Sequence, residues 1–146
     1  MNQDEKKKKR ILFLCIANSC RSQMAEGLVR HFAGNTFIAE SAGYMSTSVH
    51  PDAVHVMKEI GIDISNQRSK AVSELYGREF DVVITVCSEM DVLCPVWYGP
   101  GERVNIPFPD PVMTKGDRNT VLNAFRAVRD AMKKEILNYL AGISKK

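Results

Sequence analysis

The sequence predicts one α/β domain: a four-stranded parallel sheet with helices on both faces. Three observations lead there. Strand-like and helix-like segments alternate along the chain, the order that winds a parallel sheet. The most apolar short segments, residues 11–14 and 82–86, are continuous runs, as in strands buried on both sides. Cys15, Cys87 and Asp110 each follow a strand candidate, where ligands of such sheets bind, so one cleft can gather them. With 146 residues, 45% of them hydrophobic and 25% charged, the chain has room for one proper core.

Taken in order, Ile11, Leu12, Phe13 and Leu14 form the first strand. Residues 22–32 have helix-forming composition, with Met24, Leu28 and Phe32 spaced to share a face. Residues 36–42 form a second strand ended by Gly43. Residues 50–60 form a helix that presents Val54, Met57 and Ile60 and stops at Gly61. A shorter helix is expected over 71–76. The β-branched run 82–86 is the third strand, and 103–106 a short fourth. Pro107, Pro109 and Pro111 force an irregular loop. The last helix is long, because Val121, Phe125, Val128, Met132, Ile136 and Leu140 recur at helical spacing, with Arg126, Lys133 and Lys134 turned outward.

The formal charge of +3 is exceeded by the basic residues of positions 6–10 alone. Residues 1–9 therefore read as a flexible basic tail on a nearly neutral domain, 10–146, with no nucleic-acid footprint. No apolar run approaches the ~20 residues of a membrane span, and no secretory signal is visible. A cytoplasmic monomer is expected. Four cysteines in such a chain suggest metal or redox chemistry rather than a disulfide scaffold. The Cys87/Cys94 spacing fits no usual zinc knuckle, and His31, His50 and His55 offer no evident partner, so no metal or other cofactor is expected.

The richest segment is Cys15, Ile16, Ala17, Asn18, Ser19, Cys20, Arg21, Ser22, a loop between a strand and a helix N-terminus. Backbone amides converge in such a loop, and the helix dipole adds positive character. Arg21 offers a planar fork for a tetrahedral oxyanion. The same field favours the thiolate of Cys15, the form that attacks. The Ser22 hydroxyl is placed to hydrogen-bond that thiolate and to cap the helix.

This loop, with Asp110-Pro111 far downstream, resembles the low-molecular-weight protein tyrosine phosphatases, and the resemblance runs from Arg10 to about Gly142. It implies that Cys15 is the nucleophile, Arg21 the oxyanion ligand and Asp110 the general acid, held by Pro109 and Pro111. The pair Cys87 and Cys94 makes the chain similar to the thioredoxin-coupled arsenate reductases, which share that fold. By that resemblance Cys15 attacks arsenate, Cys87 attacks Cys15 and releases arsenite, and Cys94 attacks Cys87. The Cys87–Cys94 disulfide is then reduced by thioredoxin, with glutaredoxin or a small thiol as alternative donors. A weak phosphatase side activity is expected as well. Bridging Cys87 and Cys94 requires Cα atoms within ~7 Å, so residues 87–98 are expected to move during the redox step.

Other readings stay open on the residues alone. Cys87 and Cys94 as incidental core residues would return the chain to the phosphatases, and a non-catalytic oxyanion or redox sensor is a third class. Cys20 either packs under the loop or bridges reversibly to Cys15. Several relay reductases bind potassium through an asparagine, a glutamate, a serine and an aspartate. Asn18, Glu26 and Ser41 match the first three, and Lys70 stands at the fourth; either its ammonium replaces the cation, or Lys70 is an ordinary exposed side chain and the match is off by a residue.

Overall fold

The structure is a computed structural model that describes residues 8–88 and 93–144. Four strands, β1 (Lys9–Cys15), β2 (Phe37–Gly43), β3 (Val82–Thr85) and β4 (Glu102–Asn105), form one parallel sheet in the order β2-β1-β3-β4. Three α-helices follow the strand-helix alternation: α1 (Arg21–Ala33), α2 (Pro51–Lys58) and α3 (Arg118–Ser144). Short 3-10 turns occupy Val72–Leu75 and Pro111–Met113. Strand β1 begins at Lys9, the last residue of the expected tail; residues 1–7 of that tail lie outside the described residues.

Strand β1 is paired on both sides, so its side chains are buried alternately on either face. Ile11, Phe13 and Cys15 join Ile84 under all three α-helices, against Met24, Leu28, Val56, Phe125 and Met132. Leu12 and Leu14 join Val83 on the other face, against Val72, Leu75, Phe80 and Trp97. Among the described residues, the helical cover of that second face is the 3-10 turn at Val72–Leu75, aided by the Trp97 ring.

Local differences from expectation have physical causes. Phe32 is 43% exposed, because α1 ends there and the ring instead carries the Lys133 ammonium 4.6 Å from its centroid. Helix α2 buries Ala53, Val56 and Met57, and its stop uses Gly61 at φ +81, a left-handed conformation that favours glycine. No described helix is long and apolar enough to cross a membrane.

Candidate active site

Strand β1 has its neighbours β2 and β3 on opposite sides, so the chain reverses its winding direction there and a crevice opens at the strand's carboxyl end. Cys15 is the last residue of that strand. The loop that follows turns on Asn18, which adopts φ +47, a left-handed conformation that asparagine tolerates better than most residues. The side chain of Asn18 holds the turn. Its Nδ2 donates to Ser22 Oγ at 2.8 Å, while its Oδ1 accepts from Lys70 N at 2.8 Å and Gln23 Nε2 at 3.0 Å.

Carbonyl groups of the loop are engaged from outside. Cys15 O accepts from Tyr44 N, Ile16 O from Met45 N, and Ser19 O from His50 N at 2.8 Å. Ala17 O accepts from the hydroxyls of Thr47 and Ser69. In a trans peptide the N–H points away from the carbonyl, so the amides that follow turn to the inner side of the loop. The turn packs so closely on the end of β2 that a Cβ at Gly43 would lie 2.6 Å from both Asn18 N and Ile16 O. Glycine is required there by space rather than by backbone angle.

The reactive groups converge on a cavity of about 180 Å³ lined by Cys15, Cys20, Arg21, Thr47, His50 and Asp110. Cys15 is 3% exposed, with Sγ 2.7 Å from Ser22 Oγ. Ser22 Oγ already accepts from Asn18, which leaves its own proton to donate to a Cys15 thiolate. Ser22 does not cap the helix, however: α1 starts at Arg21 with Cys20 in the cap position, and no side chain caps it. Arg21 is buried; its Nη1 donates to Phe108 O at 3.0 Å and its Nη2 lies 3.7 Å from Asp110 Oδ2. Asp110 accepts from Val112 N at 3.0 Å and begins the 3-10 turn that Pro111 enters. One guanidinium therefore ties the proline-rich loop to the nucleophile's loop. The larger depression around Arg10, Arg78 and Asp81, at the amino ends of the strands, is lined by no cysteine, serine or threonine.

Cys20 is buried and its thiol is pushed well above its ordinary pKa. Burial is the main cause, followed by the negative neighbours Cys15 and Asp110; Arg21 opposes them.

Cys87 and Cys94 form a disulfide, with Cα atoms 6.0 Å apart, while Cys15 and Cys20 are free. Cys87 lies beyond the end of β3, buried, with Sγ 3.8 Å from the carbonyl of Leu14, the residue before Cys15. Cys94 is partly buried against the same core. The expected movement of residues 87–98 falls in part on 89–92, which lie outside the described residues.

Lys70 is buried beneath the loop, its N–H bound to Asn18 as above. Burial lowers its pKa while the charge of Glu26 raises it. Glu26 is buried, accepts from Ser41 Oγ at 2.8 Å and pairs with Arg30 at 3.2 Å. Burial raises its pKa, against the pull of Arg30, Ser41 and Lys70. The four positions expected to act together, Asn18, Glu26, Ser41 and Lys70, are thus linked in pairs under the loop.

Three contributors escaped the sequence reading. Gln23 is fully buried and braces Asn18, with its Nε2 also donating to Arg68 O at 3.2 Å. Phe108 acts through its carbonyl, which no side-chain pattern reveals. His50 lines the cavity rather than entering the helix; the His50-Pro51 pair was its signal, since proline favours the first helical position and so marks the residue before it as the cap.

Comparison with known proteins fits this geometry. Residues 10–146 match the family described as low molecular weight phosphotyrosine protein phosphatase. An arsenate reductase of Halalkalibacterium halodurans is 42% identical over 132 residues, 90% of this chain and 95% of that protein. One of Bacillus subtilis is 39% identical over 120 residues, 82% of this chain and 86% of that protein. A solved structure of an arsenate reductase in the oxidized state superposes with a TM-score of 0.77 at 34% identity, covering 92% of this chain and 98% of that one. The chain belongs to the low molecular weight phosphotyrosine protein phosphatase family, on a branch it shares with these arsenate reductases.

Proposed function

We infer that this chain is an arsenate reductase that works by a relay through Cys15, Cys87 and Cys94. The observation that carries the reading is the Cys87–Cys94 disulfide beside a loop whose own cysteine is free, with Cys87 Sγ 3.8 Å from Leu14 O. A phosphatase needs only the loop and Asp110; the bridged pair adds a two-electron store next to the nucleophile.

In the first step the Cys15 thiolate attacks arsenic in arsenate bound by the loop amides and Arg21. An As–S bond forms, and one oxygen leaves as water after protonation, with Asp110 as donor. The Cys87 thiolate then attacks Cys15 Sγ. The electron pair of the As–S bond goes to arsenic, which leaves as arsenite, and a Cys15–Cys87 disulfide remains. Attack by Cys94 on Cys87 frees the Cys15 thiolate and leaves the Cys87–Cys94 disulfide, the state of this structure. An external dithiol returns the two electrons. Thioredoxin is the proposed donor, and the cytoplasm, where such donors are kept reduced, the proposed compartment.

The experiment is single-turnover arsenite release with thiol counting by mass spectrometry. Cys94→Ser releases arsenite once and stops as the Cys15–Cys87 disulfide. Cys87→Ser and Cys15→Ser release none. If Cys87→Ser and Cys94→Ser instead hydrolyse an aryl phosphate at the parent rate, and arsenate consumes no thiol in the parent, the chain is a phosphatase. Steady-state turnover with thioredoxin, glutaredoxin or a small thiol in parallel identifies the donor.

A further inference from the structure

The wall of the active-site cavity carries a ring that the relay leaves unused. His50 lines the cavity together with Cys15, Arg21 and Asp110. The ring is fixed from three directions. Its backbone N–H is bound to Ser19 O at 2.8 Å, so the residue is stitched to the nucleophile's loop. The ring stacks at a tilt on Phe125 of α3, centroids 5.1 Å apart. Its Nδ1 accepts a hydrogen bond from Asp52 N at 3.0 Å, which caps α2. A backbone amide donates only to an unprotonated ring nitrogen, so the proton of the neutral imidazole sits on Nε2. The Asp52 carboxylate, 4.0 Å from Nδ1, is itself engaged by Arg118 at 2.6 Å. Among the described residues no group bonds to Nε2–H.

We propose that His50 is a substrate-binding residue whose Nε2–H donates to an oxygen of the tetrahedral oxyanion held by the loop. The guanidinium of Arg21 already spends Nη1 on Phe108 O and holds Nη2 toward Asp110. A tetrahedral anion seated on the loop amides presents oxygens that this fork does not cover. His50 lines the same cavity as Cys15 and Arg21, within reach of an anion seated on the loop. The imidazole supplies a donor there, pre-oriented by the cap bond and by Phe125.

This inference rests on the oxyanion-reducing reading, yet its deciding readout, phosphate affinity, needs no reduction. The measurement is the affinity of the reduced protein for inorganic phosphate by calorimetry, alongside KM and kcat for arsenate. His50→Ser keeps an oxygen to accept from Asp52 N but removes the reach into the cavity. His50→Gln places an amide N–H near the position of Nε2. His50→Ser should bind phosphate ~10-fold more weakly and raise KM for arsenate by a similar factor, both read well below its melting transition; His50→Gln, which also loses the packing on Phe125, should recover most of the affinity. Unchanged phosphate affinity in His50→Ser overturns the proposal. So does an equal loss in both variants, which would mean that the ring acts only by packing on Phe125. A parent that binds phosphate through His50 yet fails to reduce arsenate would overturn the reductase reading alone.

Discussion

The Cys20 thiol keeps its proton at neutral pH because burial and two negative neighbours all oppose its ionisation. That lets two cysteines share one small loop without two competing nucleophiles. Brief treatment of the reduced protein with iodoacetamide at neutral pH should label Cys15 and stop arsenate turnover while Cys20 stays unlabelled. Because the shift is upward, Cys20 should become reactive only as the pH is raised beyond the ordinary thiol range, or once the protein unfolds. Peptide mapping reads this directly, and equal labelling of the two sites at neutral pH would contradict it. At this scale, residue types were easier to read than their partners. The sequence singled out Cys15, Asn18, Arg21, Ser22 and Asp110, and the fold gathers all of them around one loop. It put Ser22 in the helix cap, whereas the hydroxyl is taken by Cys15 and Asn18. It passed over Phe108 because a backbone carbonyl leaves no mark in the side-chain pattern.

Elements followed their periodicity where one face is fully buried and departed from it at their ends. The apolar runs of β1 and β3 sit where expected because both faces of each strand are covered. Phe32 failed as a core residue because burial along α1 ends at Val29 and the ring in its last turn meets the Lys133 ammonium instead. The segment between α2 and the 3-10 turn at Val72–Leu75 has no regular pattern, yet it supplies Lys70 to the underside of the loop. Here the charge pattern informs more than periodicity. We propose that Lys70, whose charge and that of the buried Glu26 act on each other, supplies the positive charge that a bound cation would bring. Exchanging potassium for sodium at constant ionic strength should therefore leave the melting temperature of the parent unchanged. Lys70→Asp puts a second carboxylate beside a buried one, so it should melt lower than the parent in sodium and regain stability as potassium is titrated in. A parent strongly stabilised by potassium, or a variant indifferent to it, would mean that Lys70 is not a cation substitute.

At the scale of the whole molecule, the site depends on how the helices that flank it are held together. Glu59, just past α2, accepts from Arg126 through both carboxylate oxygens and from Arg129 Nη1 at 2.9 Å; Arg129 also donates to Val56 O at 2.9 Å. This network clamps the C-terminal end of α2 onto the middle of α3. At the other end, His50 joins α2 to both the loop and Phe125. The Arg126 hydrogen bonds, then those of Arg129, hold the Glu59 pKa down to about 2 from an ordinary 4.5. A carboxylate whose folded pKa is depressed contributes stability above its unfolded value, and that contribution fades as the pH falls from about 4.5 through about 2. Glu59→Gln removes the charge but keeps an acceptor. At an exposed site, where solvent screens the pair, this should cost at most about 1 kcal/mol, or ~3 °C in melting temperature for a chain of this length. Melting curves of parent and Glu59→Gln should differ by that amount between pH 5 and 7, the range above the ordinary 4.5, and draw together toward pH 2. A gap that stays constant with pH would mean that the clamp acts by shape alone and that its charge contributes nothing to joining α2 and α3.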